Sequence, residues 1–409
     1  MPRHDTPADR SDAEAPASAA APLVGAASGA SSDVDRQDRS TPAPPLVAVL
    51  GGGQLGRMLG LAALPLGVHC RFLDPSPDAT AAAVGELVVG DLGDPAAIAR
   101  TARGASVVTY EWEGVPAPAA RAAMTTHAVR PDPRALEVAQ DRLTEKETLD
   151  GLGIAVAPFA PIDGPDDVPN AITTTGIPLL LKTRRGGYDG RGQQLVRDEA
   201  GARLAWRALG AVPLIAEGVV DFDRELSVLA ARATDGTVAC YPLVLNEHDR
   251  GILRTSRAPA PALTPELQAS GEQIARALLE DLDYVGLLAI ELFERRGELL
   301  ANEIAPRVHN SGHWTIEGAA TSQFEQHVRA VLGMPLGSTQ TRGHSGMVNC
   351  IGALPDAAAV LAVPGAHLHV YGKAPRRGRK VGHVTVVADE PGARDARLAQ
   401  VRALQHDDG

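Results

Sequence analysis

Glu291 and Glu303 are the acids whose spacing points most directly to chemistry. They sit in two short apolar runs, Leu287 to Glu294 and Glu298 to Ile304, joined at Arg295-Arg296-Gly297. That pattern predicts a hairpin with glycine supplying the positive φ of a tight turn, and folding it about Gly297 sets Glu291 opposite Glu303. Like charges facing across a ladder repel unless a cation lies between them. Two carboxylates and the amide of Asn302 are hard oxygen donors, the kind that hold Mg2+ together with nucleotide phosphates. The competing reading is a surface hairpin with solvated acids. The run just beyond it holds Arg307, His309, Asn310, Ser311 and His313, a density of polar groups that packing does not explain, and it favours phosphoryl chemistry.

A second stretch, IPLLLKTRRGGYDGRGQQLV, places Lys182 at the end of an apolar strand and then four glycines and three arginines within nine residues. The spacing is not that of a P-loop, because no Lys-Ser/Thr follows the glycines and no helix is expected there. A hairpin lid fits better, with backbone N–H groups and Arg184, Arg185 and Arg191 meeting an anion while Lys182 reaches it from the strand. The alternative is an ordinary basic loop. Further along, Glu217 to Val220 reads as a connector strand whose backbone pairs with a purine edge, with Glu217 or Glu225 accepting from ribose hydroxyls; exposed strand-end acids are the rival reading. Near the C-terminus Lys373, Arg376, Arg377, Arg379 and Lys380 give five cations in eight residues, with Gly378 allowing a turn, either a second phosphate site or a solvated charge run.

The elements that position these groups are legible in outline. An apolar strand from Leu46 runs into Gly51-x-Gly53-x-x-Gly56 and a helix from about Gln54, followed by a strand ending at Asp74, about 20 residues on, as in a dinucleotide fingerprint. An NAD-dependent oxidoreductase is therefore a competing reading of this end. Strands at Leu87 to Val89 and Val107 to Tyr110 complete a parallel α/β unit over 46–130, with Glu111 and Glu113 just past a strand end, where such sheets bind ligands. A helix opens at Asp141-Arg142, and Arg142 is ill placed for the helix dipole unless a phosphate compensates it. Strands are expected at 224–232 and 237–245, a loop carrying His248, Arg250, Arg254 and Arg257, helices at 265–280 and 323–332, and strands at 347–351 and 367–371.

With 409 residues and 22% charged, the chain is long enough for several cores. A net charge of −11 argues against a nucleic-acid surface and against attraction to acidic membranes, so an anionic ligand needs local basic clusters. Cys70, Cys240 and Cys350 lie far apart, which suits thiols in a reducing cytosol. No apolar run approaches the roughly 20 residues that span a bilayer. Residues 1–44, rich in Ala, Ser, Pro and Asp, match neither a signal nor a transit peptide and read as a disordered tail.

Taken in order, GGGQLGRM, DRLTEK, LLKTRRGGYDGRGQ, AEGVVDFDRELS, NEHDRGILRTS, ANEIAPRVHNSGHWT and YGKAPRRGRKVGH resemble the N5-carboxyaminoimidazole ribonucleotide synthetase family of ATP-grasp enzymes of purine biosynthesis. The resemblance covers about Leu46 to Val387. It implies an α/β fold with a Rossmann-like pre-ATP-grasp domain over 45–141, an ATP-grasp domain over 142–335 with a lid at about 155–222, and a small β-rich C-terminal domain over 336–409. It implies ATP and Mg2+, or Mn2+ in its place, and a cytoplasmic homodimer acting on aminoimidazole ribonucleotide and bicarbonate through carboxyphosphate. ATP would be contacted by Arg142, Lys182, Gly187, Tyr188, Asp189, Gly190, Arg191, Gly192, Gln193, Glu217, Gly218, Val219, Val220, Glu225 and His248. Glu291 and Glu303 would hold the metal, with Asn302 beside the phosphates. Gly53, Gln54, Leu55, Glu111, Tyr188, Asp189, Arg191, Lys373, Arg376, Arg379 and Lys380 would face the ribonucleotide. Lys182 and Arg191 would neutralise charge in transfer, and Arg307 and His309 are candidates for holding bicarbonate. A different ATP-grasp ligase or transformylase is the nearer rival.

Overall fold

Four short apolar runs near the start build a parallel sheet: β1 (Leu46–Leu50), β2 (His69–Asp74), β3 (Glu86–Val89) and β4 (Val107–Tyr110), in the order β3-β2-β1-β4. The computed structural model describes residues 44–187 and 192–405, so the tail expected over 1–44 lies outside the described residues apart from Pro44. β4 is buried along its whole length, as a strand covered on both faces must be. Because β1 and β4 are adjacent and parallel, the glycine turn after one and Glu111 after the other emerge side by side.

The second sheet is antiparallel: β5 (Phe159–Ile162), β6 (Leu179–Thr183), β7 (Gln193–Val196) and β8 (Leu214–Gly218), in the order β5-β8-β6-β7. Leu179 and Leu181 point to a core shared with Ala171, Ala202 and Ala205 of two covering helices. The two-residue period therefore turns Lys182 to the opposite face. β6 and β7 are the two arms of the glycine-rich loop. Tyr188, Asp189, Gly190 and Arg191, expected to contact nucleotide and ribonucleotide, lie outside the described residues.

The third sheet carries β9 (Arg224–Arg232), β10 (Val238–Cys240), β11 (Val244–Asp249), β12 (Ile252–Ala258), β13 (Gly286–Arg295), β14 (Glu298–Ala305), β15 (His344–Gly352), β16 (Ala366–Val370) and β17 (Arg376–Ala388). Its order is β14-β13-β9-β11-β12-β15-β17-β16, with β10 also paired to β9. The helix Pro265–Asp281, capped by Thr264 and apolar along Leu267, Ile274, Leu278 and Leu279, covers one face of β9 and β13. On another side, helix Gln54–Ala63 and helix Gln323–Leu332 share a core with Leu287 and Ala289 of β13.

Four expectations are corrected. The single strand expected over 237–245 is interrupted into β10 and β11. His248, Arg254 and Arg257 lie on the hairpin β11–β12, not in a loop, because the tight turn at Arg250-Gly251, both at positive φ, lets the two runs pair directly. Arg376 to Lys380 open β17 instead of forming a turn, and the positive φ of Gly378 falls where the β15–β17 register slips. The 287–304 hairpin turns on two residues, Arg296 and Gly297, with Arg295 opposite Glu298. Carried along unbroken, that register would set Glu291 against Asn302, but a one-residue bulge restores the Glu291–Glu303 pair.

Candidate active site

The bulge therefore brings the two acids to the same face of the ladder. Burial and the charge of Glu303 push the Glu291 carboxyl up to about 7. An arrangement that penalises its own charge in this way fits a cation, which would remove the penalty. The donors are two carboxylates, and among the described residues no group of three or more His, Cys, Asp or Glu side chains is placed to hold a metal unaided. Two carboxylates completed by substrate phosphates suit a hard divalent ion.

Helix Arg142–Gly151 lies along β14. Residues three and four apart share a helix face, so Arg142, Glu145 and Lys146 turn together toward the hairpin. Arg142 comes within 4.0 Å of Glu303 and donates to Gly187 O at 2.9 Å, at the start of the glycine-rich loop. Glu145 is buried and accepts from the Ile304 amide at 2.6 Å; burial and the charge of Glu303 raise its carboxyl to about 8. Lys146, 2% exposed, donates to Asn302 O at 2.6 Å and stands 3.5 Å from Glu217. Lys182 reaches the same Glu217 oxygen at 3.0 Å. Burial alone would raise the Glu217 carboxyl, but the two lysines outweigh it and hold it below the usual range. Glu217 is thereby occupied by two cations.

Glu225 accepts from His248 at 2.7 Å. Burial disfavours the charged ring, yet that bond and the charges of Glu291 and Glu225 raise its pKa overall. His309 Nε2 lies 3.6 Å from Glu291. Burial, then the charges of Arg307 and Lys380, push its pKa well below the ordinary value.

The glycine turn is filled from within. Glu111 Oε1 accepts the Gly53 amide at 2.8 Å and Oε2 the Gly56 amide at 3.3 Å. A Cβ on Gly51 would lie 2.7 Å from Glu111 Cγ, and one on Gly53 2.9 Å from Oε1, so these glycines make room for a carboxylate of the same chain. Asp74 meanwhile accepts the Gly52 amide at 2.9 Å and the Ser76 amide at 2.8 Å. The dinucleotide reading of this end is corrected accordingly: its anion site and its ribose acid both have partners already.

Several expected residues do converge here. Lys373 donates to Gln54, joining the C-terminal cluster to the glycine turn, and burial followed by the charge of Arg379 lowers the Lys373 pKa. Lys380 lies close enough to help lower the Glu291 and His309 pKa values. Arg307 is gripped by Glu113 and donates to Val308 O at 3.0 Å. Arg376 and Val219 are exposed; Arg379 donates to Ala374 O at 3.3 Å. Leu55 is buried against the core of its own helix, and Gly218 donates to Pro158 O at 2.8 Å within the connector. Gln193 opens β7 opposite Lys182, and Gly192 accepts from Thr183 at 2.8 Å. The sequence singles out Glu113 and Arg307 separately but not their pairing, and it does not single out Glu145 and Lys146, although the three- and four-residue spacing from Arg142 is a usable signal for those two.

Family models match three successive stretches: a ribonucleotide synthetase preATP-grasp domain over 46–140, an ATP-grasp domain over 147–324, and a phosphoribosylaminoimidazole carboxylase C-terminal domain over 345–397. Fold and site together define an ATP-grasp enzyme. The chain is 49% identical over 358 residues to the N5-carboxyaminoimidazole ribonucleotide synthase of Pseudomonas aeruginosa, covering 88% of this chain and 99% of that one. Among solved structures, the synthetase from Thermus thermophilus shares 56% identity at a TM-score of 0.85, over 88% of this chain and 99% of that one. The Aspergillus clavatus synthase, solved with ADP and 5-aminoimidazole ribonucleotide, shares 32% at 0.82, over 88% and 98%. This chain belongs to the N5-carboxyaminoimidazole ribonucleotide synthase family.

Proposed function

We propose that the protein carboxylates 5-aminoimidazole ribonucleotide with bicarbonate at the expense of ATP, a step of purine biosynthesis. The γ-phosphoryl group passes to a bicarbonate oxygen, giving ADP and carboxyphosphate. The exocyclic amine then attacks the carboxyl carbon, phosphate departs, and the amine loses a proton to leave the carbamate. The observation that carries the reading is the meeting of two basic regions over one acid pair: Arg142 lies within 4.0 Å of Glu303 from the nucleotide side, and Lys380 acts on Glu291 from the C-terminal cluster.

Glu291 and Glu303 would hold Mg2+, or Mn2+ in its place, and the ion would neutralise charge on the transferring group. Lys182 and Arg142 line the nucleotide phosphates with Lys146 buried behind them, Glu225 with His248 takes the ribose, and Glu217 to Val220 border the base. Gln54, Glu111 and Lys373 orient the ribonucleotide, with Arg376, Arg379 and Lys380 near its phosphate. Arg307, fixed by Glu113, and His309 border the bicarbonate. The family resemblance assigns Tyr188, Asp189 and Arg191, which lie outside the described residues, the task of shielding the site, and excluding water would protect an anhydride that hydrolyses readily. We place the enzyme in the cytoplasm as a homodimer, as the family resemblance implies; no helix among the described residues is long and apolar enough to cross a membrane.

The test is phosphate release from ATP with Mg2+ and bicarbonate, with and without 5-aminoimidazole ribonucleotide. Strong stimulation by the ribonucleotide is expected. Its absence removes this assignment and favours an ATP-grasp ligase acting on another amine or acid.

A further inference from the structure

A line of buried hydrogen bonds crosses neighbouring strands of the third sheet to reach His309. Ser256 on β12 bonds Asn246 Oδ1 on β11 at 2.8 Å, Asn246 Nδ2 bonds Ser227 Oγ on β9 at 3.0 Å, and Ser227 bonds Ser311 Oγ at 2.9 Å. Ser311 Oγ then stands 2.9 Å from His309 Nδ1. None of the four is more than 3% exposed, so bulk water does not interrupt the line.

Its direction follows from the hydrogens available. A hydroxyl carries one hydrogen and an amide nitrogen only donates. With the Ser256 hydrogen on the amide oxygen, the amide hydrogen on Ser227 and the Ser227 hydrogen on Ser311, the hydrogen of Ser311 is left for His309 Nδ1. A second, independent contact agrees: the backbone N–H of Ser311 points at the same Nδ1 at 3.3 Å. The backbone contact needs Nδ1 bare, and so does the hydroxyl contact in the direction that the line sets. With Nδ1 bare, the ring hydrogen sits on Nε2, which faces Glu291 at 3.6 Å.

We propose that Ser256, Asn246, Ser227 and Ser311 are positioning residues that hold His309 as its Nε2–H tautomer, so that it presents a hydrogen-bond donor, and not a base, to Glu291 and to the oxyanion formed beside it. The oxyanion rests on the function proposed above; the tautomer rests on geometry alone. A fixed donor stabilises charge that develops as the phosphoryl group moves, without reorganising at that moment.

Asn246→Asp tests this by reversing the line. An ionised aspartate only accepts, so Ser227 turns toward it, Ser311 toward Ser227, and His309 has to donate through Nδ1. The readout is 15N NMR of histidine-labelled enzyme, with His309 assigned by its loss in His309→Asn. Wild type is expected to show a protonated Nε2 and a bare Nδ1, and Asn246→Asp the inverse. Its kcat should fall about a hundredfold with the KM for ATP within about threefold. Ser227→Ala, which buries no charge, should give a mixture of the two tautomers and decides the matter if Asn246→Asp does not fold. A protonated Nδ1 in wild type, or an unchanged tautomer in the folded variants, overturns the proposal. A changed tautomer with undiminished kcat overturns the donor role. Phosphate release that ignores the ribonucleotide sinks the proposed function instead and leaves the NMR result standing.

Discussion

Glu291 and Glu303 face each other across β13 and β14 because a single bulge at Asn302 corrects the register set by the Arg296-Gly297 turn. Burial and then repulsion from Glu303 raise the Glu291 carboxyl, so the pair costs the protein stability. Removing one partner should therefore harm turnover and spare the fold. Glu303→Ala is expected to lower kcat by about a hundredfold or more, with the melting temperature unchanged or higher. Glu303 is 46% exposed at its side chain, so little packing is lost. Turnover within about tenfold of wild type would mean the ion is held elsewhere.

Glu145 and Glu291 both carry carboxyls raised on folding, to about 8 and about 7 from 4.5. A carboxyl that holds its proton more tightly when folded stabilises the native state at low pH, and this contribution is lost as pH rises through the folded value. The stability of the ligand-free enzyme should accordingly fall between about pH 5 and pH 8. Glu145→Gln keeps an acceptor for the Ile304 amide without the charge, and should flatten that slope. An unchanged slope in melting curves across the range would contradict the assignment to Glu145.

Glu217 separates Lys146 from Lys182, at 3.5 Å and 3.0 Å. Glu217→Ala leaves Lys146, 2% exposed at its side chain, uncompensated beside a second cation. A loss of about 3–5 kcal/mol is expected from such a broken buried pair, readable in urea unfolding. Adding ATP should recover part of it, because the nucleotide phosphates would re-supply the negative charge.

Gly51 has φ +107 and no room for a Cβ beside Glu111. Gly51→Ala should destabilise by about 1–3 kcal/mol and weaken ribonucleotide binding, since Glu111 has to move. For the same reason the turn should not bind NAD: Glu111 already takes the Gly53 and Gly56 amides. Calorimetric titration with NAD is expected to show no heat of binding, and a saturable signal would revive the dinucleotide reading.

What the chain reveals by itself is local. Apolar runs broken by glycine located β1, β4, β6, β9 and the 287–304 hairpin, and helix Gln323–Leu332 was legible from its periodicity. The Glu291–Glu303 pairing was legible too, although by reflection about one glycine, where the protein uses a two-residue turn and a bulge. A bulge leaves no mark in a pattern of period two until the partner strand is known. Only the tertiary structure decided what each charged group meets. Glu111 lies 58 residues from Gly53, Lys373 lies 319 from Gln54, and Ser227 lies 84 from Ser311. Such pairs are made where strands, turns and helices remote in sequence meet, and a carboxylate or hydroxyl reads the same in sequence whether its partner is water, a ligand or a buried side chain.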